Sequence, residues 1–86
     1  MYREPDDLRK RINAALSIID KCLAEDNLIT FEKGTLAEAG KILRTGRISD
    51  AIIELANGLA HANRVDLIKD RPEAKACKLA LDALID

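Results

Sequence analysis

Thr45-Gly46-Arg47-Ile48-Ser49-Asp50 is the stretch whose reading decides the fold of this 86-residue chain. It lies between two amphipathic runs, 35–45 and 50–62, and reads as a helix stop followed at once by a helix start. Gly46 reaches the left-handed conformation that ends a helix at little steric cost, and Ser49 is suited to cap the helix that follows. Ile48 and Ile53 stand at the positions of a hydrophobic staple around that cap. A connection this short makes the two helices antiparallel neighbours.

Downstream of the turn, Ile48, Ile52, Leu55, Leu59 and Ala62 form one seam, flanked by Ala51 and Ala56. Asp50, Glu54, Asn57, His61 and Arg64 make a polar stripe at the same period, so the third helix is amphipathic. Upstream, two starts compete for the second helix. Thr30 can cap a helix that opens on Phe31-Glu32 and carries Gly34 inside it at a cost of about 1 kcal/mol. Alternatively, Thr35-Leu36-Ala37-Glu38 forms a capping box just after Gly34. The earlier start is the favoured one.

The first helix is expected to begin at Asp6 or Asp7, behind Pro5, with Leu8, Ile12, Ala15, Leu16, Ile19, Cys22 and Leu23 as its apolar stripe. The acidic run Glu25-Asp26-Asn27 opposes the dipole at its C-terminus and should end it early. A fourth helix follows Asp70-Arg71-Pro72-Glu73, with Asp70 as cap, Pro72 in the first turn and Glu73 completing an acidic capping-box variant. Its apolar face is Ala74, Cys77, Ala80, Leu81 and Leu84. No stretch alternates in the manner of a strand. The fold class is therefore all-α: one domain, residues 1–86, of four short antiparallel helices forming a small bundle or stacked helical hairpins.

Apolar residues make up 48% of the chain but aromatics only 2%, so the core is a thin one of aliphatic side chains and alanine, and self-association would complete it. Fourteen basic and fifteen acidic residues leave a net charge of −1, and no long-range field steers the chain toward nucleic acid or an anionic membrane. The apolar runs are too short for membrane insertion, and the sequence starts on charged residues, which points to the cytoplasm. Cys22 and Cys77 have no metal-ligand spacing and read as reduced core thiols.

Signals for chemistry are sparse. His61 lies on the polar stripe of the third helix without a nearby nucleophile and reads as a solvated surface residue. Asp20 with Glu25, and Asp50 with Glu54, read as ordinary charges on helix faces. The four glycines build no phosphate-cradling loop, so no cofactor is expected. The basic groups Arg3, Arg9, Lys10, Arg11, Lys21 and Lys33, Lys41, Arg44, Arg47 are not interleaved with aromatics, and Asp50 and Glu54 would repel phosphate from a recognition helix. These features argue against both an enzyme and a nucleic-acid binder.

Residues 32–65 resemble a tetratricopeptide-type helical hairpin. The resemblance rests on small Ala39, on Ile42, on Gly46-Arg47-Ile48-Ser49-Asp50-Ala51-Ile52 through the turn, and on Leu55 and Gly58 in the second helix. It implies close helix approach at Ala39, Ala51 and Gly58, and a partner groove in which Lys33, Lys41 and Arg44 meet an acidic protein segment. A second resemblance runs through Leu36, Ala39, Ile42, Leu43 and Gly46, then Ala51, Ile52, Leu55, Ala56, Asn57 and Leu59. It is similar to the four-helix bacteriocin-immunity proteins. The function expected from residues and resemblance together is a noncatalytic protein-interaction module, an adaptor, chaperone-like protein or inhibitor that binds another protein or itself. The alternatives are an immunity protein and a small DNA-binding regulator.

Overall fold

Four helices hold nearly all the residues that the computed structural model describes, which are 5–25, 31–65 and 70–85. They are α1 (Pro5–Leu23), α2 (Phe31–Arg44), α3 (Ile48–Asn63) and α4 (Pro72–Ile85), and no strand occurs among the described residues. The protein is all-α, and the earlier of the two starts for α2 is the one adopted, with Gly34 inside the helix. The proposed cap at Thr30 lies outside the described residues.

Gly46 ends α2 as the sequence requires, with φ +80°. The Arg47 amide reaches back to the Ile42 carbonyl at 3.3 Å and the Gly46 amide to Leu43 at 3.0 Å, the paired bonds of a Schellman motif. Thr45 Oγ1 donates a further bond to Ile42 O at 2.7 Å. A side chain at position 46 would meet no heavy atom within 4 Å, so a substitution there reports backbone strain and nothing else. Gly46→Val is expected to lower stability by about 1–2 kcal/mol in urea melts, the cost of holding a β-branched residue in the left-handed region.

Ser49 is not the cap of α3. The helix begins one residue before it, at Ile48, and Arg47 occupies the cap position without a side-chain cap bond. The Schellman turn explains the shift: the same Arg47 whose amide closes α2 gives its carbonyl to the Ala51 amide at 3.1 Å, so the two helices share one boundary residue. The staple fails with the cap, and Ile53 is exposed. In α4, the Arg71 carbonyl accepts from the Lys75 amide, which puts Pro72 at N1 and Glu73 at N2, one short of the capping-box position that pairing with Asp70 requires. α1 opens at Pro5 and ends at Leu23, the early stop expected ahead of Glu25; Asp26 and Asn27 lie outside the described residues.

The core is the aliphatic one that composition implies. Ile19, Leu36, Leu43 and Leu55 are its largest fully buried apolar side chains, with Ala15, Ala39, Ala51, Cys77 and Ala80 filling the spaces between them. Ala39, Ala51 and Gly58 are all buried and bring α2 and α3 together. Ala56, placed beside the α3 seam on sequence grounds, faces solvent, while Glu32 and Glu73 are fully buried. α1 packs on α2 and α4, and α3 on α2 and α4, which closes the four helices into a ring. A linear stack of hairpins would leave α1 and α4 apart, so the arrangement is a small bundle. α1 and α4 run antiparallel: Cys22 lies against the Pro72 carbonyl and Arg11 against the Leu84 carbonyl.

Candidate functional site

Lys33, Lys41 and Arg44 all lie exposed on the outer side of α2. Lys33 and Lys41 are two helical turns apart on one stripe, and neither makes an ion pair with another described residue. Arg44 turns across to α1, where its guanidinium holds both oxygens of Asp20 at 3.0 and 3.1 Å. That pair fastens α1 to α2 on the surface, and its net contribution is within about 1 kcal/mol.

Beneath this face sits a buried polar group absent from the sequence reading. Glu32 enters from the first turn of α2 with no solvent exposure, and its Oε1 lies 2.6 Å from His61 Nδ1. Its Oε2 has no hydrogen-bond partner among the described residues. His61 is thus half-buried and engaged, not the solvated surface residue expected from its stripe; the close α2–α3 approach brings a carboxylate 29 residues away onto its ring. A second buried carboxylate, Glu73, accepts from Arg71 Nε at 3.2 and 3.4 Å.

Both cysteines are free and buried, as the spacing suggested. Burial first, then the charges of Glu32, Cys22, Glu54 and Glu73, push the Cys77 thiol up to about 12. Cys22 is raised by burial and then by Glu25 and Glu73. Thiolates are the nucleophiles and metal ligands, so both groups are chemically quiet at neutral pH. The linkage has a definite sign: the unfolded chain gives up the Cys77 proton near 9 and the folded chain near 12, so its stabilising contribution is complete below pH 9 and is lost as pH rises toward 12. Stability of the wild type minus that of Cys77→Ala should therefore be flat to pH 9 and fall above it in urea melts. Thiol alkylation at pH 8 should proceed only after denaturant is added. Among the described residues no three His, Cys, Asp or Glu side chains are grouped to hold a metal ion.

An open concavity lies between α1 and α4. It measures about 350 Å³ and is lined by Ile18, Lys21 and Cys22 of α1, by Glu25 just beyond the end of that helix, and by Pro72, Lys75, Ala76 and Leu79 of α4. α4 contributes positions i, i+3, i+4 and i+7, the four residues that surround a hole on a helix surface, and α1 contributes i, i+3 and i+4 beside it. The floor is apolar, and Lys21, Lys75 and Glu25 form the rim. Leu79 stands 56% exposed at its edge. The signal for this groove was present in the sequence: Leu79 falls off the apolar face assigned to α4, and Pro72, Ala76 and Leu79 make a second stripe. No protein-family model, curated protein or solved structure matches the chain.

Proposed function

We propose that this chain is a noncatalytic protein-interaction module, an adaptor, chaperone-like protein or inhibitor, that seats an amphipathic helix of its partner in the α1/α4 groove. The observation that carries the reading is the open i, i+3, i+4, i+7 lining of α4 beside Ile18, Lys21 and Cys22 of α1. Two antiparallel helices flanking an apolar floor, one of them presenting an open hole, offer a third helix the packing that helices make inside bundles. Neither Lys21 nor Lys75 is ion-paired with a described residue, and both favour acidic residues flanking the partner's apolar anchor. Lys33 and Lys41 form a second cationic strip on the opposite side, suited to guiding encounter more than to holding a partner.

The groups with latent chemistry are otherwise occupied. Both thiols are buried and held protonated, and His61 is bonded to a buried carboxylate. No described helix is long and apolar enough to cross a membrane. On this reading the chain works in the cytoplasm, where thiols stay reduced. Affinity purification from the native host tests the reading, with the recovered partner then purified and titrated. Leu79→Glu should weaken binding by at least about tenfold, a loss of 1.4 kcal/mol or more. Reversal of Lys33 and Lys41 should act mainly on association rate and salt dependence. Recovery of nucleic acid with a steep salt slope, or a partner indifferent to Leu79→Glu, would refute it.

A further inference from the structure

We infer that in the isolated protein the α1/α4 groove is filled by α4 of a second copy of this chain, forming an antiparallel, two-fold symmetric homodimer about Leu79. The inference rests on the reading of the groove as a helix-docking surface and commits it to one occupant.

Charge order along α4 singles out this partner. The outward stripe runs Lys75, Lys78, Leu79, Asp82, basic before the leucine and acidic after it. A parallel copy would set like against like. An antiparallel copy sets the basic half of each helix against the acidic half of the other, and two-fold symmetry makes both pairings at once. At 1.5 Å per residue, Lys75 lies about 6 Å before Leu79 and Asp82 about 4.5 Å after it, so with the axis near Leu79 the two groups come level across the interface. Asp82 already meets Lys78 of its own helix through Oδ2 at 3.3 Å, on the surface, and its other oxygen is open to a second cation.

Shape supports the same arrangement. Leu79 is an exposed knob, and Pro72, Lys75, Ala76 and Leu79 itself surround a hole on the same helix, with Ile18 and Cys22 as its far wall. With the axis near Leu79, the two exposed leucines meet across it, each at the edge of the other copy's hole. Ala76 at the floor leaves room for the incoming side chain. Lys21 on α1 and Glu25 just beyond its end carry opposite signs and leave the helix pairing to α4. The contact spans a helix of 14 residues, roughly 21 Å, which places the interface at the small end of specific ones and the dissociation constant in the micromolar range or above.

The test is sedimentation equilibrium of the purified full chain from about 1 μM to 1 mM, a span covering −8.2 to −4.1 kcal/mol. A reversible monomer–dimer equilibrium is expected, weakened at least tenfold by Leu79→Glu while the circular dichroism spectrum stays helical. Lys75→Glu alone and Asp82→Lys alone should each weaken association, since each homodimer then contains two like-charge contacts. An equimolar mixture of the two variants should regain it, because the heterodimer has only opposite pairs. A monomer at every concentration, a dimer indifferent to Leu79→Glu, or a mixture no tighter than its components would overturn the inference. If the chain is monomeric but its host partner still depends on Leu79, the homodimer fails and the docking groove stands. If the chain dimerises as described and the host yields no partner, the homodimer stands and the adaptor reading fails.

Discussion

His61→Ala is expected to destabilise the protein by about 1–3 kcal/mol, the cost of leaving a buried acceptor without its hydrogen bond. Glu32 has no solvent exposure, and among the described residues its Oε2 has no hydrogen-bond partner while its Oε1 meets His61 Nδ1 at 2.6 Å. Its place in the first turn of α2 gives it some help from the helix dipole, worth at most about 2 kcal/mol, which does not replace a hydrogen bond. A domain of this size has only about 5–15 kcal/mol of stability, so a loss of this order is a substantial share of it and should lower the melting temperature by several degrees. The companion variant keeps the result interpretable. In Glu32→Leu/His61→Ala no carboxylate is left buried at this site, and most of the lost stability should return, as apolar replacement of buried pairs commonly shows. Urea melts followed by circular dichroism measure both. A cost below about 1 kcal/mol for His61→Ala would mean that this hydrogen bond does not hold Glu32 in the core.

Why this pair was invisible in the sequence is instructive beside what was visible. Helix periodicity places each residue on a face, and it placed Leu55, Ala62, Cys77 and Leu84 correctly because burial follows from being apolar on the right side. It also put His61 on the polar face of α3, at the edge of which it lies. What periodicity cannot say is which residue of another helix arrives at that edge, and Glu32, a carboxylate in a first turn, looks like any dipole-favouring surface acid. Gly46 was legible because a left-handed residue has few chemical options. Ser49 misled because capping preference is local, whereas the start of α3 is set by the turn that ends α2. The groove escaped because its walls come from opposite ends of the chain, and the off-face Leu79 on α4 does not say which element stands beside it.

The same α2–α3 contact makes Gly58→Val the other large expected effect, at about 3 kcal/mol. A Cβ at position 58 would sit 2.6 Å from Thr35 Cγ2 and 3.1 Å from Thr35 Cβ, closer than carbon atoms approach. Thr35 is buried and β-branched, with few rotamers to retreat into, so the helices must separate. Alanine at 58 introduces the same overlap but gains about 1 kcal/mol of helix propensity over glycine, so Gly58→Ala should cost less than valine. Thr35→Ala removes the nearest obstructing atom, Cγ2, and Thr35→Ala/Gly58→Ala should therefore be more stable than the two single losses predict, a coupling of roughly 1–2 kcal/mol in a double-mutant cycle. Because Thr35 is three residues after Glu32 and Gly58 three before His61 on antiparallel helices, the Thr35–Gly58 contact lies one turn from the Glu32–His61 bond. Widening the helices by even 1 Å at Gly58 would stretch a 2.6 Å hydrogen bond beyond useful strength. Gly58→Val and His61→Ala should then be strongly sub-additive in the same melts, since the first already removes much of what the second deletes, and full additivity would show that the close approach and the buried pair are independent.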